Sequence, residues 1–102
     1  MAHLGTFEFA APLWGYPGAD GWHFVSLPPE ISTDITELTI GIQRGFGSVR
    51  VAVTVGSTSW RTSIFPDSGT GAYLLPVKKA VRAAERLEAG DQIQAQLQIA
   101  DL

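Results

Sequence analysis

Two stretches of this chain repeat one local pattern: a strand closed by Leu-Pro, a helix-forming segment, a Gly-containing turn and a further strand. The clearer copy is Gly71-Ala72-Tyr73-Leu74-Leu75-Pro76, then Val77 to Leu87, then Ala89-Gly90-Asp91 and Gln92 to Ile99. The earlier copy is Trp22 to Leu27-Pro28, then Pro29 to Thr39, then Gly45-Phe46-Gly47 and Val49 to Val55. A strand ending in proline precedes each copy, at Ala11-Pro12 and Phe65-Pro66, so that Pro12 aligns with Pro66 and Pro28 with Pro76. Two β-β-α-β units of this size cannot each bury both faces, so they must share one core. The expected fold is mainly β: a six-stranded barrel with two short α-helices and a pseudo-twofold axis relating 5–55 to 56–102. Closure into a barrel would also remove unpaired strand edges.

The periodicity supports this assignment. Val49, Val51, Val53 and Val55 alternate with Arg50, Ala52 and Thr54, and Gly56-Ser57 turns the chain into a partner strand from Thr58 to Phe65. Ile93, Ala95, Leu97 and Ile99 alternate with four glutamines. Thr6 to Ala11 reads as a strand stopped by Pro12, and Gly15 to Gly21 reads as a loop. Val77, Ala80, Val81, Ala84 and Leu87 form a stripe at helical spacing. The segment from Pro28 to Thr39 has a proline start and cap candidates in Ser32 and Thr33, against β-branched residues that favour extended structure. Trp22 and Trp60 are expected in the core or plugging the barrel ends.

Composition closes off several function classes. At 102 residues the chain is one domain over 1–102, long enough to bury roughly two-thirds of its unfolded surface. With no cysteine there is no disulfide framework, thiol nucleophile or thiolate metal site. Two histidines, His3 and His23, make a zinc site improbable, and no metal or other cofactor is expected. No basic segment followed by an apolar core opens the sequence, and no apolar run approaches 18 residues. The expectation is a cytoplasmic protein with no membrane segment.

Charge is segregated. The net charge is −3, yet residues 1–42 carry Glu8, Asp20, Glu30, Asp34 and Glu37 with no Lys or Arg. Residues 43–82 carry Arg44, Arg50, Arg61, Lys78, Lys79 and Arg82 against Asp67 alone. Lys78 and Lys79 begin the second helical segment, where the positive end of a helix dipole favours acids instead. Arg82 lies one turn on, so the three can form a single cationic surface for a phosphate or carboxylate. Arg44 and Arg61 are candidates to extend it from neighbouring strands. The sequence thus points to a non-enzymatic module recognising an anionic partner, nucleic acid or a phosphorylated or acidic ligand, as a monomer or homodimer. Phe46, Trp60, Phe65 and Tyr73, interleaved with Arg44, Arg61 and Lys78, would suit single-strand stacking if exposed.

The enzymatic alternative rests on Asp67-Ser68-Gly69-Thr70, which matches the Asp-Ser/Thr-Gly-Ser/Thr signature of aspartic proteases. Such a hydrolase would need a homodimer bringing two Asp67 carboxylates together to share a proton. Pro66 and Gly71 instead mark the segment as a loop, and Asp67 is expected to have no catalytic role. Ser57, Ser59 and Ser63 lie near no predictable base, and no Gly-x-Ser-x-Gly elbow is present. Gly45-Phe46-Gly47 lacks the rest of a phosphate loop and reads as a turn into the Val49 strand.

A family resemblance rests on Phe46-Gly47-Ser48-Val49, Trp60, Thr62-Ser63, Phe65-Pro66 and the run Gly71 to Arg82, with Gly90-Asp91, Trp22 and Leu27-Pro28. On these residues the chain resembles the bacterial domain-of-unknown-function family DUF1905 over nearly its whole length. The resemblance implies a small double-split β-barrel, related in fold to the AbrB and MazE swapped-hairpin domains. It carries no established activity.

Overall fold

The structure, a computed structural model, describes residues 5–17, 21–43 and 45–100, without the side chain of Phe46. The elements in chain order are β1 (Thr6–Gly15), β2 (His23–Ser26), α1 (Pro29–Leu38), β3 (Val49–Val55), β4 (Thr58–Pro66), β5 (Tyr73–Pro76), α2 (Lys79–Glu85) and β6 (Gln92–Ile99). Gly45–Gly47 form a short 3-10 turn leading into β3. The six strands close into one antiparallel barrel in the order β1-β2-β5-β4-β3-β6.

Alternation directs side chains as the sequence implies. Val49, Val51, Val53 and Val55 of β3 and Ile93, Ala95, Leu97 and Ile99 of β6 are buried, while the glutamines of β6 are exposed. The β3–β4 hairpin turns at Gly56-Ser57, with Gly56 at φ 60, the conformation its first central position requires. Leu13, Val25, Leu75 and Ile64 complete the interior, and Ile35 and Val81 close it from the helices.

Two long strands divide themselves between partners. β1 pairs with β6 through Thr6 to Pro12, then with β2 through Leu13 to Gly15. β4 pairs with β3 through Thr58 to Ile64, then with β5 through Phe65 and Pro66. Pro12 therefore does not stop β1, contrary to its reading as a strand breaker. It occupies the last register position against β6, where the strand leaves one neighbour for another, a place that tolerates a missing N–H donor.

The helices are shorter than the apolar pattern implies. α1 starts at Pro29 with Pro28 as N-cap, and neither Ser32 nor Thr33 caps it. Thr33 instead donates its hydroxyl to Pro29 O at 3.1 Å, and Ser32 is buried one turn into the helix. α2 runs only from Lys79 to Glu85 rather than from Val77 to Leu87. Arg86 adopts the left-handed conformation, and the Leu87 N–H reaches back to Arg82 O at 2.8 Å, a Schellman-type stop. Beyond the stop, Leu87 packs partly buried against the core.

Exchanging β1 with β4, β2 with β5 and β3 with β6 leaves the cyclic strand order unchanged. Hydrogen bonds repeat under the same exchange. Leu27 N–H donates to Tyr73 O and Val77 N–H to His23 O, both at 2.9 Å. Ser32 N–H donates to Pro28 O at 2.9 Å and Arg82 N–H to Lys78 O at 3.1 Å. Under this correspondence Pro28 answers to Lys78, not to Pro76, and Ser32 answers to Arg82.

Candidate functional site

Val25 of β2 and Leu27 just after it are buried, so Phe24 and Ser26 fall on the outward phase, which Trp22 just before the strand shares. Trp22 is 58 % exposed, which corrects its expected place in the core; Trp60, at 8 %, is buried as expected. Trp22 stacks on Phe24 with ring centroids 6.0 Å apart and planes 21° from parallel. Trp14, directly opposite Phe24 on β1, lies 5.3 Å from it, and Tyr16 meets Phe24 edge-on at 6.1 Å. The Trp14 indole N–H donates to Ser26 Oγ at 3.0 Å, which fixes one ring of the set. Four aromatic rings thus support one another on the outside of the barrel, with Tyr16 also more than half exposed.

The start of α2 lies against this aromatic set. Trp22, His23, Pro76, Lys78, Lys79 and Arg82 line a groove of about 300 Å³. The Arg82 guanidinium bridges its two walls: Nε donates to Val77 O at 3.1 Å and Nη2 to Gly21 O at 2.9 Å. Arg82 is thereby held in place by two backbone carbonyls. Lys78 and Lys79 are exposed. The His23 Nδ1 lies 3.2 Å from Gly21 O, and a carbonyl only accepts, so the contact requires the proton on Nδ1. In the neutral ring Nε2 is then an acceptor. It packs over Gly15, where an added Cβ would stand 3.6 Å away. A second, more open groove on the far side of Lys79 and Arg82 reaches Leu87 and Glu88.

The structure therefore brings Lys78, Lys79 and Arg82 together, as the sequence implies, but for a different reason. α2 has seven residues and Lys78 is its N-cap, so the helix contributes little dipole and the positive charge here resides in the side chains. Arg61 is exposed on the outward phase of β4, and Arg44 lies outside the described residues. Of the rings expected to stack, Trp60 and Tyr73 are buried, Phe65 is 43 % exposed, and the side chain of Phe46 lies outside the described set. The aromatic surface is carried instead by Trp14, Tyr16, Trp22 and Phe24, of which only Trp22 is expected in the core from the sequence.

Asp67 lies in the β4–β5 loop, as expected, and its oxygens are engaged locally. Oδ1 accepts the Gly69 N–H at 3.1 Å and Oδ2 the Thr70 hydroxyl at 3.2 Å. Among the described residues no three His, Asp or Glu side chains gather to hold a metal ion. No helix among them is long and apolar enough to cross a membrane.

The sequence model of a family described as Domain of unknown function (DUF1905) matches residues 9–97. The chain belongs to that family. No curated protein matches it. The family match takes in both halves of the barrel, so Trp22, the α2 cations and Phe65 all lie within the DUF1905 domain.

Proposed function

We propose that this protein is a non-enzymatic binding module that recognises an anionic ligand with a flat apolar portion, at the groove between Trp22 and α2. The observation that carries the reading is the exposed, pre-stacked Trp22 ring sharing one groove with Lys78, Lys79 and the tethered Arg82. An exposed indole braced by Phe24 offers a stacking face, and three cations supply charge for a phosphate or carboxylate. A nucleotide joins both features in one molecule.

The test is titration of the full chain with nucleoside monophosphates and with inorganic phosphate, followed by tryptophan fluorescence. Nucleotide should quench the Trp22 emission, and Trp22→Ala should remove that signal. Lys78→Glu with Lys79→Glu should weaken binding about tenfold or more, at about 1.4 kcal/mol per decade. Absence of any binding, or binding indifferent to both variants, would sink the reading.

A further inference from the structure

We infer that the ligand is a single strand of nucleic acid, lying across the outward faces of β1, β2, β5 and β4 with one end in the Trp22 groove. This rests on the groove reading above and adds what lies beyond the groove. The strand register sets Trp14, Phe24 and Pro76 in one outward row and Ser26, Leu74 and Phe65 in the next. Their inward neighbours Leu13, Val25, Leu75 and Ile64 are all buried, so the outward assignment follows from strand alternation. Four adjacent strands thus carry a mainly apolar and aromatic band, with Ser26 as its polar member, from Trp14 to the half-exposed Phe65.

Three steps between strands about 4.8 Å apart make this band roughly 14 Å wide. The band ends beside two further cations. Arg50 of β3 sits opposite Ser63, two residues from Phe65, and Arg61 lies two residues before Ser63 on the same outward phase. Both arginines are exposed. Cations therefore stand at both ends of the band, with rings between them. A single strand exposes its base faces to such rings and its phosphates to such cations, and small barrels take about four nucleotides or more this way. A duplex hides its base faces, and a mononucleotide is too short to reach Phe65. Asp67, near the end of β4, turns its carboxylate to its own loop.

The experiment uses the full chain with thymidine di-, tetra- and octanucleotides and a duplex octamer at low salt. Wild type should bind the tetranucleotide at least about tenfold more tightly than the dinucleotide, with the duplex weaker than the single strand. Phe65→Ala should weaken tetranucleotide binding about 5- to 100-fold, the range for losing one stacked base. Arg50→Glu with Arg61→Glu should act in the same direction. Neither variant should change dinucleotide binding, which also reports that each is folded. If the dinucleotide binds as tightly as the octamer, or these variants leave the tetranucleotide untouched, the band has no role. The groove would then take a small ligand alone. A duplex that matches the single strand also overturns the inference. Binding of neither mononucleotide nor oligonucleotide would sink the groove reading with it.

Discussion

The starts of the two helices hold equivalent places in the barrel and carry opposite chemistry. Pro28-Pro29 and Lys78-Lys79 occupy matching positions before and at the first turn, and Ser32 and Arg82 match one turn later. At α1, Ser32 Oγ accepts the Tyr73 N–H at 3.1 Å in a buried contact. The Tyr73 hydroxyl in turn accepts from Gln43 at 3.4 Å. The exposed side of α1 carries Glu30, Asp34 and Glu37. At α2, Arg82 reaches across to Gly21 O beside an exposed ring, and the neighbouring charges are lysines. The loops differ likewise: Tyr16 and Trp22 flank the first, while Asp67 and Ala72 flank the second, each pair closing on itself through an N–H···O bond of 2.8 Å. We propose that 5–55 and 56–102 are copies of one unit in which one helix start became a buried structural joint and the other an open surface. The matched hydrogen bonds support this.

The largest difference should appear in the core. Each helix buries one apolar side chain, the larger Ile35 on α1 and the smaller Val81 on α2, and α1 buries Ser32 as well. Ile35→Ala should cost about 2–5 kcal/mol and Val81→Ala less, because one methylene fewer leaves the core. Equilibrium urea unfolding of both variants measures this. A Val81 loss equal to the Ile35 loss would show that the two helices share the anchoring equally, and would break the comparison at its base.

The equivalent pair Ser32 and Arg82 sharpens it. Ser32→Ala leaves the buried Tyr73 N–H without its acceptor and should cost about 1–3 kcal/mol of stability while leaving the groove intact. Arg82→Ala removes two bonds to backbone carbonyls, one of them in an exposed contact where water can replace the donor. Its stability cost should stay near 1 kcal/mol, and its effect should fall on ligand affinity. The crossing pattern is the prediction: stability without binding for Ser32, and chiefly binding for Arg82. Paired unfolding and fluorescence titrations read it directly.

Most of the fold was legible in the sequence because alternation and the repeated Pro-helix-turn pattern are local and redundant. The barrel, the hairpin at Gly56-Ser57 and the inward set of β6 all follow from period-two burial. The site was legible only in part. The α2 lysines stand out as cations where a helix start favours acids, with Arg82 one turn on, but the usual burial of large aromatic residues points Trp22 inward. The signal that places it outward was present: Val25 and Leu27 must both face the core, which forces Phe24 to the surface and leaves Trp22 on the same phase. Tyr73, open between surface and core in the sequence, is buried because it shares the inward phase of its strand with Leu75. Arg82 anchoring to Gly21 joins residues far apart in sequence, and no local pattern encodes it.

The smallest predicted effect separates a structural from a functional role for Lys78 and Lys79. If their positions strained α2 through its dipole, reversing both charges would stabilise the protein, at about 0.3–1 kcal/mol for each residue at low salt. The seven-residue length of α2 argues otherwise, since Lys78 is a cap with extended backbone and only Lys79 lies within the helix. Both side chains are exposed, and exposed substitutions away from packed features usually fall within about 0.5 kcal/mol. Lys78→Glu with Lys79→Glu should therefore unfold within about 0.5 kcal/mol of wild type in urea. The same variant should weaken anion binding and flatten its salt dependence, because fewer counterions are released when two cations are lost. A clear rise in stability with unchanged binding would mean that the lysines strain α2 and hold no anion, and the chemical difference between the two helix starts would then carry no binding role.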